Sequence, residues 1–431
     1  MTGVFVRLRK SFYRIINKNI TETFIEVFFM GAIILAIYFS LDLSGQSFFS
    51  KVDVTVFLAV IVAIIVNIIK TSISRYIRRK IEDFNKLSDD YNYLIKQYPC
   101  EENFVEYNNT VEINRFLYRK TLKKYKEGIT KFPVIIERIL HDAKFEIEDK
   151  PQEQYELPER IKENYEMLMQ AHEFSDVYNQ LNIRLNDYEY DKGINSIKMF
   201  TSRTTYFDSL VTNRAMDYRW GLKSSNREIY DYGPYVNSLK ESKLSNHLGF
   251  NGFVETSDGK IVFVNRSHNV SIGKGTLGNS VGASLKTKYA LNEDKEFTEI
   301  GLVESMIKEL HDELRIDRQD FNFSAKNIIA IYRDLVEGGK PQLLFYVKTT
   351  KSSKEVNETF INARKKTEKA YLQTKLAMDG NELVFINRDQ LKDVYITPEM
   401  IVFEGKSYLT MPSASAAIVI LMKYFEECEK K

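Results

Sequence analysis

The chain has 431 residues, enough for a membrane part and one or two globular domains. Its 61 Lys+Arg against 59 Asp+Glu leave a formal charge of +2, which excludes the global basic field of a nonspecific nucleic-acid binder; a nucleic acid polymer is not an expected partner. Two cysteines, Cys100 and Cys428, far apart, exclude a disulfide scaffold, and five histidines with no HxxxH or CxxC pair give a structural zinc site no support. With 26 Tyr, 28 Phe and only 8 Pro the composition is that of a folded chain.

Two apolar stretches open the sequence. Residues 24–41 (FIEVFFMGAIILAIYFSL) carry Glu26 as their one charge, and residues 52–69 (VDVTVFLAVIVAIIVNII) carry only Asp53, at the edge. Each has roughly 18 residues, about the length of a helix crossing the hydrocarbon core. The short polar link between them predicts an antiparallel hairpin. Arg7, Arg9, Lys10, Arg14 and Lys18 precede the first stretch, and Lys70, Arg75, Arg78, Arg79 and Lys80 follow the second. The positive-inside bias therefore puts both flanks, and both termini, in the cytoplasm, and the chain in a membrane as a multi-pass protein. A cleaved signal peptide or two core helices of a soluble protein are the alternatives. Gly31, Ala32 and Ala36, with Ala59 and Ala63, stand at helix-packing distances, and Glu26 and Asn67 are polar groups at or near membrane depth. Residues 1–80 thus form a basic N-terminus and transmembrane hairpin.

Residues 81–195 are charged and rich in Tyr and Asn. Helical stretches such as 161–171 are broken at Pro99, Pro133, Pro151 and Pro158, which predicts a mainly helical connector. The alternation in 182–190 (NIRLNDYEY) predicts a strand belonging to the domain that follows.

Residues 196–431 read as that domain. Leu248 to Arg266 alternates as two strands around Ser257-Asp258-Gly259, a tight hairpin in which Asp-Gly supplies positive φ. A Gly-rich stretch follows, 273–282 (GKGTLGNSVG), without a Walker pattern, and reads as a flexible turn or a phosphate cradle. Next comes a helix over 299–316, with Val303, Ile307, Leu310 and Leu314 as its apolar stripe and Glu309, Asp312 and Glu313 at i, i+3 and i+4 on the other side. Such carboxylates hold a hard divalent cation such as Mg²⁺ against phosphates, but without further context a run of this kind more often forms a solvated helix face. A last helix over 413–427 has a stripe through Ala417, Ile420, Leu421 and Phe425 and should pack on the sheet.

Hairpin, Gly-rich loop and helix in this order resemble a Nudix domain. Lys308-Glu309-Leu310-His311-Asp312-Glu313-Leu314-Arg315-Ile316 aligns with the end of the family's box, and the resemblance implies that Glu309, Asp312 and Glu313 match its metal positions. Lys308 replaces an Arg, Asp312 a Glu, and Arg315 the Gly that ends the helix; Asp294 falls where the box should begin with Gly. Because Arg takes a left-handed conformation reluctantly, the loop after the helix is expected to differ.

Membrane hairpin, connector and degenerate Nudix domain together resemble the two-transmembrane Nudix-like effectors of the bacterial cyclic-oligonucleotide-based antiphage signalling system (CBASS). The fold class expected is two N-terminal transmembrane α-helices, a helical connector and a C-terminal α+β Nudix-like domain. The resemblance implies that a cyclic di- or oligonucleotide, made by a partner nucleotidyltransferase, binds the Nudix-like domain. The helices then oligomerise in the inner membrane and disrupt it, causing abortive infection. No cofactor is required in that reading. Mg²⁺ enters only in the alternative, a membrane-anchored Nudix hydrolase of a nucleoside diphosphate derivative; a membrane-anchored scaffold that binds protein is a third reading. A nucleotide needs cations for its phosphates and flat rings for its bases. Arg203, Tyr206, Asn213, Arg214, Arg219 and Trp220 form the richest such cluster, and Arg266 and Lys286 should stand near the mouth of the cleft; core packing and surface ion pairs are the alternative for each.

Overall fold

The computed structural model describes residues 87–109, 128–169, 172, 178–220, 224–266, 275–370 and 380–430. They fall in two compact units, one built from 87–168, 175–218 and 224–431 and the other from 1–86, 169–174 and 219–223. Of the second, only Met169, buried His172, Arg219 and Trp220 are described.

The expected helical connector is overturned. Over 81–195 the described chain forms β1 (Phe104–Asn109), β2 (Gly128–Ile139), β3 (Lys144–Gln154) and β4 (Leu181–Asp191), with only short helices such as Tyr91–Gln97, Glu159–Glu163 and Tyr165–Met169. Pro133 and Pro151, read as helix breakers, lie inside β2 and β3. The Asp149–Gln154 register of β3 against its neighbour is shifted around Pro151, the irregularity expected where a strand residue has no N–H to donate. Among the described residues no helix is long and apolar enough to cross a membrane; the stretches 24–41 and 52–69 lie outside them.

The strands that follow are β5 (Ser196–Thr205), β6 (Gly249–Glu255), β7 (Lys260–Arg266), β8 (Leu277–Gly278), β9 (Val281–Ser284), β10 (Ile328–Asp334), β11 (Lys340–Lys348) and β12 (Gly380–Asn387), and three short ones near the C-terminus, Tyr395–Ile396, Met400–Phe403 and Lys406–Leu409, form an antiparallel sheet of their own. The main sheet runs β1-β2-β10-β11-β6-β7-β12, and β6 and β11 are its parallel pair. A smaller sheet, β3-β5-β4, pairs β3 with β5 in parallel and β4 with β5 antiparallel.

The predicted hairpin forms, with a different turn. Gly259 donates to the Thr256 carbonyl at 2.9 Å, and Gly259 alone in the turn takes positive φ, 75°. β6 and β7 pair only at the tip, Glu255 opposite Ile261; beyond it β9 takes the place beside β6 and β8 beside β7. The described end of the Gly-rich stretch is therefore pleated into the sheet.

Helices cover both faces. Label Tyr206–Val211 α1, Glu299–Leu314 α2, Ser353–Ala370 α3 and Pro412–Glu429 α4. α2 starts at Thr298, whose side chain accepts from Gly301 N–H, and packs Leu302, Met306, Leu310 and Leu314 against Phe250, Val254, Leu343 and Phe345, with Ile183 and Ile197 of the small sheet in the same core. Each such side chain contributes roughly 1.5–3 kcal/mol by leaving water. The stripe is rotated from the one expected, since Leu302 and Met306 are fully buried and Val303 only partly. α4 lays Ala417, Ile420, Leu421 and Phe425 on the other face against Phe253, Phe263, Tyr332 and Leu344, as its periodicity predicts. Cys100 and Cys428 are both free and exposed.

Candidate functional site

The end of β9 leads through Leu285 and Lys286 into a single helical turn, Thr287–Ala290, which packs against the start of α2. Gly301 makes that contact possible: a Cβ there would stand 1.8 Å from the Ala290 carbonyl oxygen. This docking brings Lys286 over the C-terminal half of α2.

The Lys286 ammonium lies 2.5 Å from Glu309 Oε1. Only 7% of the Glu309 side chain and 24% of the Lys286 side chain are exposed. Burial works to lower the Lys286 pKa, but the Glu309 carboxylate, with Tyr178 and Glu313 behind it, holds the ammonium above its usual range. One turn on, Lys308 pairs with Asp312. Tyr289 stands among these cations, with the Nζ atoms of Lys286, Lys288 and Lys308 at 5.8, 5.1 and 5.4 Å from its ring centroid. The result is a charge-balanced patch of lysines and carboxylates around a half-exposed ring.

The carboxylates the Nudix resemblance assigns to a metal do not fit one as they stand. Glu309 and Asp312 are each engaged by an ammonium, and among the described residues no three His, Cys, Asp or Glu side chains gather as for a metal ion. An ion there would have to displace Lys286 from Glu309.

The 201–220 cluster divides. Arg203 is 2% exposed and bound to Asp149 of β3. Asn213 is a strut: its Nδ2 donates to Asn246 Oδ1 at 3.0 Å and to the Glu337 carbonyl at 2.8 Å, and its Oδ1 accepts from Asn246 N–H. Tyr206 and Arg214 do come together, with Nη1 donating to the phenol oxygen at 3.1 Å and the guanidinium 5.5 Å from the ring centroid. Arg214 Nε is 3.6 Å from Glu337, which Lys340 also holds. Behind Tyr206 is His247, fully buried and held neutral by burial and by the positive charges of Lys340 and Arg214; its Nε2 is 3.0 Å from Ser284 Oγ. Asn182 of β4 links the two groups, because it pairs with Thr204 on one side and bridges to Lys286 on the other. Tyr206, Arg214 and Lys286 therefore share one end of the domain. Arg266 ends β7 opposite Gly380, while Arg219 and Trp220 belong to the other compact unit.

Sequence reading missed Tyr289, Lys288, His247 and Ser284 as neighbours of this site. Lys308 was noticed only as a departure from the Nudix pattern. Its spacing of four from Asp312 was the available signal for a pair on one helix face.

No protein-family model matches the sequence, and no curated protein matches it. Among solved structures, a MutT protein from Methanosarcina mazei Go1, a Nudix protein, is similar over 42% of this chain and 94% of its own, at 12% identity and a TM-score of 0.23. DR0079 from Deinococcus radiodurans is similar over 24% of this chain and 57% of its own, at 16% identity and a TM-score of 0.17. Likeness this low carries no argument about fold or activity.

Proposed function

We propose that the described domain is a nucleotide sensor on a Nudix-like scaffold, working without a divalent cation. The observation that carries this reading is the Lys286 ammonium on Glu309. A carboxylate that a Nudix hydrolase would commit to its metal already has a cation, supplied by the chain itself. Tyr289 with its three lysines, and Tyr206 with Arg214, offer flat rings beside positive charge, the pairing that nucleotide bases and phosphates require.

The ligand proposed is a cyclic di- or oligonucleotide made by a partner nucleotidyltransferase, in a CBASS-type antiphage response. The output in this reading is the pair of apolar stretches at 24–41 and 52–69, acting at the bacterial inner membrane on oligomerisation and ending in death of the infected cell. It rests on hydropathy and flanking charge. Gating draws on the difference in ligand affinity between the resting and active assemblies.

The full chain in liposomes, given a panel of cyclic di- and trinucleotides, is expected to bind one of them and to release trapped dye equally with Mg²⁺ and with excess EDTA. Lys286→Met is expected to weaken both. Mg²⁺-dependent cleavage of a nucleoside diphosphate derivative that disappears in Glu309→Gln would establish the hydrolase instead. Absence of binding and leakage across the panel would sink the sensor.

A further inference from the structure

The outer face of the small sheet carries a cleft of about 550 Å³. Its size is within the range of small-molecule sites, roughly 300–1,000 Å³. Its walls include Tyr155, Arg184, Asn186, Ser202, Tyr230 and Lys243.

Arg184 is the unusual member. Its guanidinium is largely withdrawn from water, 5.4 Å from the Tyr155 ring centroid, yet no ion pair among the described residues includes it. Nη1 donates to Asn186 Oδ1, Nη2 reaches the Ser242 and Leu244 carbonyls only at 3.4 Å each, and Nε is buried with no partner. Buried cations are ordinarily matched by an anion, because desolvation costs several kcal/mol otherwise. Burial lowers the Arg184 pKa from its ordinary value, against the opposing pull of Tyr155 and of the Glu153 carboxylate.

We propose that this cleft is a second binding site, for a singly charged phosphodiester of nucleotide size whose anionic oxygens meet Arg184 and whose ring lies against Tyr155 or Tyr230. The charge follows from the surroundings. The lining sets two cations, Arg184 and Lys243, against two carboxylates, Glu153 and Glu156, so it has no surplus positive charge with which to hold a dianion. A dianionic phosphomonoester would carry its second charge toward those glutamates. The ring follows from the tyrosines: the Tyr155 hydroxyl is fixed by donating to the Lys243 carbonyl at 2.7 Å, which holds that ring in place.

Isothermal titration of the full chain with 3′,5′-cyclic AMP, AMP and inorganic phosphate tests the assignment. Cyclic AMP, a monoanionic diester on a purine, is expected to bind at least tenfold more tightly than AMP or phosphate. Arg184→Gln is expected to weaken it tenfold or more, and Lys354→Gln, exposed on α3, is expected to have no effect. Should Arg184→Gln fail to fold, Tyr230→Ala and Lys243→Glu each supply the test, with a loss of severalfold or more expected. Three outcomes overturn the site: no binding of cyclic AMP, binding indifferent to these cleft variants, or binding lost on Lys286→Met while Arg184→Gln retains it.

Discussion

Arg203 and Asp149 grip each other through two parallel hydrogen bonds, Nη1 to Oδ1 at 2.7 Å and Nη2 to Oδ2 at 2.6 Å, with both side chains nearly sealed from solvent. Thr201 Oγ1 and Phe297 N–H also donate to the same carboxylate, so β3, β5 and the approach to α2 meet at Asp149. Arg203 is thus a staple of the fold. Arg203→Met leaves a buried carboxylate without its counter-ion and is expected to cost about 3–5 kcal/mol in a denaturant titration. Burial alone would raise the Asp149 pKa, but the bonds from Arg203, Phe297 and Thr201 outweigh it and hold the folded value below the ordinary one. The stabilisation is therefore present above the usual carboxylate range and is lost as pH falls through the depressed folded value. An Arg203→Met protein of unchanged stability and weakened nucleotide affinity would contradict this role.

A carboxylate with the opposite linkage lies on the α4 side of the sheet. Burial, with the negative charge of Glu337 beside it, pushes Asp334 up to about 7, against the pull of Lys340, the Val336 N–H and Ser413. Folding then takes up a proton wherever the unfolded carboxyl is ionised and the folded one is not. This contribution to stability falls as pH rises from about 4 to 7 and stays low above that. Asp334→Asn keeps an oxygen for the Val336 N–H, bonded at 2.9 Å, and removes the charge. It is expected to exceed the wild type by on the order of 2 kcal/mol at pH 8 and to match it near pH 4. A difference that does not vary with pH would refute the assignment.

The features legible in the sequence are those whose cause is local. Asp258-Gly259 announced a turn, and the stripes of α2 and α4 announced helices that pack on a sheet, because residues three and four apart share a face. Non-local partners were not legible. β2 is a strand because β10, almost two hundred residues later, pairs with it; read alone, its charges and proline suggested broken helix. Arg203 looked free because Asp149 is 54 residues away, and Glu309 looked solvated because the lysine that allows its burial is 23 residues away.

Arg315 was expected to avoid the left-handed conformation that ends such a helix, and it does not. It takes the left-handed conformation itself, φ 58° and ψ 35°, and its N–H closes the helix on the His311 carbonyl. The steric cost of that conformation for an L-residue is about 1–2 kcal/mol, and glycine relieves it while losing about 0.4–1 kcal/mol to a freer unfolded chain. Arg315→Gly is expected to raise stability by roughly 0.5 kcal/mol. Arg315→Val, branched at Cβ, is expected to lower it by about 1–2 kcal/mol. If thermal melts rank valine above glycine, the left-handed cap is wrong.

Gly301 sets propensity against contact. Inside a helix, Ala is preferred to Gly by about 1 kcal/mol, so a local rule favours Gly301→Ala. The tertiary contact opposes it, since the added methyl would meet the Ala290 carbonyl oxygen at 1.8 Å, backbone against helix, with no flexible side chain able to yield. Overpacking of this kind costs about 1–3 kcal/mol or forces the elements apart. The contact is expected to win, with a net loss of stability of about 1–2 kcal/mol. The turn that would be pushed away carries Tyr289 and begins at Lys286, so the displacement should also loosen the Lys286–Glu309 pair. Gly301→Ala is therefore expected to reduce nucleotide affinity in conditions where the protein is still folded, and Mg²⁺ should not restore it. An alanine variant more stable than the wild type would mean that the turn and α2 are not in contact as described.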